Sequence, residues 1–160
     1  MMHVRATASA ITAAAVGIAV SIAPSAVAAP RGAKTVTCRI HDFIQNFPST
    51  SVPGETFSLL RCSGPFGRGV QHATFTTTPK TSTTGKAVLK FKAYFDQGSV
   101  SGVWRADYKF TSRTMGTFHQ RVSWTGGTGA FMHVKATGTG KGIQNGMQGI
   151  VTQRLKVTGA

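Results

Sequence analysis

Acidic residues are what this chain of 160 residues most conspicuously lacks: 4 Asp+Glu stand against 18 Lys+Arg, giving a formal net charge of +14. Charged residues of both signs make up only 14% of the chain. The imbalance therefore comes from missing acids rather than crowded bases, and it favours anionic partners through long-range attraction. Long apolar runs are missing too. No strictly apolar stretch reaches the roughly 18 residues of a spanning helix, which excludes a polytopic membrane protein. Cysteine is scarce, with 2 in all. What is present, 41% hydrophobic residues and 19 Gly, is a globular rather than a disordered composition, and the length suits a single domain.

Residues 1–28 read as a secretory signal peptide. Arg5 supplies the positive n-region, residues 11–22 a short apolar core, and Ala26-Val27-Ala28 the small-residue cleavage pattern. No twin-Arg pair is present, so the general secretory route is expected. Residues 29–34 follow as a short linker and 35–160 as the domain, secreted to the extracellular space or the cell envelope. In that oxidising setting Cys38 and Cys62 are expected to pair as one structural disulfide, stabilising the fold by roughly 3 kcal/mol.

Helical periodicity is nearly absent after residue 30. Alternation with period 2, punctuated by Gly, Pro and Thr clusters, predicts strands over 35–40, 57–62, 70–77, 87–95, 99–110, 118–125, 130–139 and 148–157. The Thr-rich segment 74–85, with Pro79 inside it, is expected to fray into a loop. Eight strands with short connections make an all-β antiparallel barrel or sandwich. A turn at Asp96-Gln97-Gly98-Ser99 would set Phe95 against Val100, Ala93 against Gly102 and Phe91 against Trp104. Ala106, Tyr108 and Phe110 would then face Val122, Gln120 and Phe118. A turn at Thr125-Gly126-Gly127-Thr128-Gly129 would set Trp124 against Ala130 and Val122 against Met132. One apolar face would thus run across four strands. Lys90, Lys92, Arg105, Asp107, Lys109, His119, Arg121, His133 and Lys135 fall on the other face, with His133 opposite Arg121.

The run Val122-Ser123-Trp124-Thr125-Gly126-Gly127-Thr128-Gly129-Ala130-Phe131, followed by Ala136-Thr137-Gly138-Thr139-Gly140, resembles the late hairpin of the allene oxide cyclase and dirigent barrel superfamily. The resemblance covers about residues 87–140. The Ala-Thr-Gly triplet lies two residues later than in the family's usual spacing, and no carboxylate follows Asp107 within the matched segment. The resemblance implies a single antiparallel eight-stranded barrel, and association between copies as among family relatives. It also implies a lumen that confines a small apolar ligand or a reactive substrate, as a cyclase (an isomerase) or a dirigent-like protein does.

Candidate lumen residues are Phe91, Trp104, Tyr108, Gln120, Trp124 and Gln153, of which Tyr108, Gln120 and Gln153 are the polar ones. None is a strong general base, so no catalytic residue is assigned. His41, Asp42 and Glu55 belong to the N-terminal portion, within reach of a barrel mouth. The histidines have no zinc-ligand spacing, and neither a metal nor a cofactor is implied. The glycines lack the Lys-Ser/Thr ending of a phosphate cradle. Lys90, Lys92, Arg105, Lys109, Arg121 and Lys135 form a candidate polyanion-binding outer face, suited to an anionic cell-wall polymer or lipid headgroups. Export, and aromatics placed away from these bases, argue against nucleic acid. Three functions follow as expectations: a ligand-binding module at the envelope, a confining cyclase or dirigent-like protein, and a purely electrostatic polyanion binder.

Overall fold

The computed structural model describes residues 32–160. The expected signal peptide at 1–28, and the linker as far as residue 31, lie outside the described residues. The eight strands are β1 (Lys34–Asn46), β2 (Gly54–Cys62), β3 (Gly67–Pro79), β4 (Thr84–Phe95), β5 (Gly98–Phe110), β6 (Met115–Gly129), β7 (Lys135–Asn145) and β8 (Gln148–Thr158). Each pairs antiparallel with the next, and β8 returns to β1, so the sheet closes into a barrel with no free edge. No helix occurs among the described residues.

The alternation read from the sequence is the alternation of inside and outside. Phe91, Ala93 and Phe95 on β4, Trp104 and Ala106 on β5, and Val122 and Trp124 on β6 are all buried. Lys90, Lys92, Arg105, Asp107, Lys109, His119, Arg121 and Lys135 are exposed.

The registers differ from expectation by even steps. β4 and β5 are joined by the two residues Asp96 and Gln97, so Phe95 faces Gly98, Ala93 faces Val100, Phe91 faces Gly102 and Leu89 faces Trp104. The tight turn is closed by Gly98, whose φ of 149° suits glycine. Between β5 and β6, Trp104 faces Val122, Ala106 faces Gln120 and Tyr108 faces Phe118. A slip of two residues moves partners along the strand without turning a side chain to the other face.

The Gly-rich motif is not a turn. Gly126 to Gly129 continue β6 and pair with Ser101 to Gly98, after a bulge between Ser101 and Gly102. The chain reverses later, over residues 130–134, and β7 places Ala136 opposite Trp124 and Gly138 opposite Val122. A Cβ on Gly127 would collide with the carbonyls of Ser99 and Phe131, so glycine here permits backbone to approach backbone. His133 lies in this reversal and Arg121 faces Thr139 instead, so the expected His133–Arg121 pair does not form. The Thr-rich segment is strand rather than loop except at residues 80–83, which join β3 to β4. β3 stays paired with β4 from Thr74–Lys90 to Pro79–Gly85, as suits β-branched residues, and Pro79 falls on the last position, where its missing N–H interrupts no ladder.

The two ends of the barrel are filled differently. At the end where β2 passes to β3, β4 to β5 and β6 to β7, Phe66 stacks on Phe131 at 4.7 Å and meets the edges of Trp124 at 5.0 Å and Phe95 at 5.5 Å. All four are buried. Beside them Cys38 and Cys62, opposite each other on β1 and β2, are joined as the expected disulfide. At the other end the interior is hollow.

Candidate functional site

All eight strands contribute to a cavity of about 250 Å³ in the hollow end. Its walls are apolar and aromatic: Phe75, Leu89, Trp104, Ala106, Tyr108, Phe110, Phe118 and Val151, with Phe47 and Pro48 from the β1–β2 connection at the rim. Two alanines in the upper part of the wall, Ala87 and Ala106, lie opposite each other and leave the space open. Gly85 faces Tyr108, and a Cβ there would strike the phenol hydroxyl, so glycine gives that ring its seat.

Of the six candidate lumen residues, Trp104, Tyr108 and Gln120 border the cavity. Gln153 lies beneath it and donates Nε2–H to Gln120 Oε1 at 3.2 Å. The two glutamines meet across Gly140, which pairs with both. Phe91 is packed at 5.6 Å from Trp104, and Trp124 belongs to the aromatic plug, so these two build the floor and the closed end rather than the cavity wall.

The interior is more polar than the sequence reading allowed. Thr56, Ser58, Gln71 and Gln144 are also buried on the inward face, and the cavity wall includes a carboxyl group, Asp42. Strand β1 runs on to Asn46, so Asp42 continues the inward series Val36, Cys38 and Ile40. His41 points outward. So does Glu55, whose Oε1 lies 2.5 Å from His72 Nε2 on the outer wall. Asp42, Ser58 and Gln71 are successive cross-strand neighbours on β1, β2 and β3. Ser58 Oγ donates to Asp42 Oδ1 at 2.5 Å, and Gln71 Nε2 donates to Ser58 Oγ at 3.4 Å. Burial pushes Asp42 up from its ordinary 3.8 to about 6, because charge is poorly solvated there; the Ser58 hydrogen bond pulls the other way. The residue keeps some accessible surface, and it borders the cavity.

One buried donor beside the cavity has no acceptor. Trp104 is 1% exposed, and its Nε1–H makes no hydrogen bond within the described residues. Leaving such a group unpaired costs about 1–3 kcal/mol. The cavity therefore combines an aromatic wall with the polar groups of Tyr108 and Gln120 and a carboxyl that burial raises to about 6. Such a site can enclose a small apolar molecule and hold one or two of its polar atoms.

The candidate outer residues Lys90, Lys92, Arg105, Lys109, Arg121 and Lys135 all face solvent. Lys92 Nζ sits 5.2 Å from the Tyr94 ring centre, and Asp107 lies 3.7 Å from Lys86 in a pair too exposed to contribute appreciable stability.

Compared with known proteins, the chain matches no family model, no curated protein and no solved structure.

Proposed function

We propose that the chain is a secreted, basic β-barrel binding module that takes a small apolar ligand into the open end of its barrel. Its cationic exterior associates with the anionic cell envelope. The observation that carries the ligand reading is the cavity itself: every strand lines it, while the opposite end is filled by Phe66, Phe95, Trp124 and Phe131. The disulfide is compatible with an oxidising compartment. The barrel topology agrees with the allene oxide cyclase and dirigent resemblance of residues 87–140, and membership of that superfamily remains part of the proposal.

The test is titration with a neutral fluorophore, N-phenyl-1-naphthylamine, and with unbranched alcohols and ketones as competitors. Binding should quench the emission of Trp104, which borders the cavity, and Trp104→Phe should leave only the weaker quenching of the deeper Trp124. Ala106→Phe, which fills the upper cavity, should abolish binding without unfolding the barrel. Unaltered affinity in Ala106→Phe would sink the reading.

A second reading, confinement of a reactive substrate by a cyclase or dirigent-like protein, is favoured by the Asp42 carboxyl. A group titrating near pH 6 inside an apolar wall is able to donate or accept a proton at working pH. Turnover of an unsaturated epoxide that falls at least a hundredfold in Asp42→Asn, with binding retained, would promote this reading. Absence of turnover leaves the protein a binder.

A further inference from the structure

The outer wall of β1, β2 and β3 breaks a rule of sheet design. Arg39 faces Arg61, and Arg61 faces Arg68, so three guanidinium side chains stand side by side across adjacent strands. Like charges directly opposite each other destabilise a sheet. All three are exposed, and among the described residues none forms an ion pair. Two residues along each strand, roughly 7 Å away, runs a second row of the opposite character. It consists of Tyr94, Val70, Leu59, His41 and Ile150, each the cross-strand neighbour of the next. Leu59 is 56% exposed, Val70 52% and Tyr94 47%. Apart from Ile150, the two rows line one groove, whose single acid is Asp96.

We propose that this groove docks an anionic phospholipid at a membrane surface, its phosphate held by Arg39, Arg61 and Arg68 and the start of its acyl chain laid along Leu59, Val70 and Tyr94. The inference rests on the envelope association proposed above and is independent of the ligand cavity. Guanidinium forks match phosphate oxygens in number and geometry. An apolar strip beside them suits a lipid and adds nothing for a hydrophilic phosphate polymer, which decides between the two. The chain's other in-register arginine pair, Arg105 and Arg121, lacks the strip: it is flanked by Val103 and Ser123 on one side and by Asp107 and His119 on the other. A row of mutually repelling charges left bare is the expected state of a site whose counter-charge arrives with the ligand.

The test is sedimentation with phosphatidylcholine vesicles containing phosphatidylglycerol at physiological salt. Arg39→Gln/Arg61→Gln should bind about 25-fold more weakly, from roughly fivefold per arginine at a lipid surface. Arg105→Gln/Arg121→Gln removes the same charge and should change affinity less than about threefold. Leu59→Ser/Val70→Ser should also weaken vesicle binding. Removing Arg61 should raise the melting temperature by relieving repulsion, which separates loss of binding from loss of fold. Equal losses in the two arginine pairs would overturn the site and leave general envelope association standing. Failure of the unaltered protein to bind the vesicles would overturn the lipid proposal and restrict the envelope reading to an anionic wall polymer. Full competition by millimolar inorganic phosphate, or no loss in Leu59→Ser/Val70→Ser, would overturn the lipid assignment.

Discussion

The two ends of this barrel are built from the same eight strands, yet one is a plug and the other a cup. At the plugged end the connections are short and carry aromatics inward: Phe66 from the β2–β3 turn and Phe131 from the β6–β7 reversal both fold into the lumen. At the cup end the smaller inward residues Ala87, Ala106 and Thr56 stand among the aromatics of the wall, so the same closure of hydrogen bonds leaves a hollow. A closed sheet fixes only the radius of the interior; the residues at its two mouths decide whether the volume is core or site. Stability and binding are thereby assigned to opposite ends, and each end can be perturbed without the other.

The largest contrast is expected from truncating one aromatic at each end. Phe131→Ala should cost about 3–5 kcal/mol of unfolding free energy, since a side chain 1% exposed is lost from a packed cluster. Phe118→Ala, at the half-buried cup wall, should cost about 1 kcal/mol and widen the cavity. Denaturant titration of both variants checks the comparison, and equal costs would mean the cup is as tightly packed as the plug. Cys38→Ala/Cys62→Ala should cost about 3 kcal/mol, again at the plugged end, leaving affinity for the fluorophore unchanged.

A change at the cup should act in the opposite direction. Asp42 holds its proton more tightly folded, at about 6, than at the ordinary 3.8. Between these values the folded chain binds more protons than the unfolded one, so this group makes stability fall as pH rises from about 4 to about 6, and the loss is complete above the folded value. Asp42→Asn removes the penalty. It should match the parent protein below pH 4 and exceed it by up to about 3 kcal/mol above pH 6. Unfolding curves of the two proteins from pH 3.5 to 8 measure the difference directly, and a gap that does not grow with pH would place Asp42 in contact with bulk water.

Which parts of this contrast were legible in the sequence follows from the range of the interactions concerned. Period-2 alternation is local, so the inward phase of Phe91, Trp104, Val122 and Trp124 and the outward phase of Lys90, Arg105 and Arg121 could be read directly. Register depends on turn length, and a two-residue turn in place of a four-residue one shifted every β4–β5 partner by two while sparing the faces. The Thr-Gly-Gly-Thr-Gly motif reads as a turn because glycine is frequent in turns, whereas here it serves close approach between Gly127 and the carbonyls of Ser99 and Phe131. Asp42 carried a usable signal: it is in phase with Cys38 and Ile40 on one side and Ile44 on the other. The strand expected from the sequence ends at residue 40, two residues short of Asp42. The Asp42–Ser58–Gln71 row and the Arg39–Arg61–Arg68 row had no such signal, since each needs the registers of three strands at once.

The smallest expected effect tests the comparison most directly, because it places the same new side chain at two depths of the same lumen. Ala93 on β4 is 0% exposed and faces Val100 in the packed region, whereas Ala106 on β5 borders the cavity opposite Ala87. Adding a phenyl group to a filled interior forces neighbours off their rotamers, so Ala93→Phe should cost about 1–3 kcal/mol or more. Ala106→Phe adds the same atoms where space already exists, and burying its ring offsets whatever adjustment Tyr108 or Gln120 must make. Its melting temperature should therefore stay within a few degrees of the parent's while fluorophore binding is lost. If Ala106→Phe is as destabilising as Ala93→Phe, the hollow does not persist in solution, and the barrel has two plugged ends.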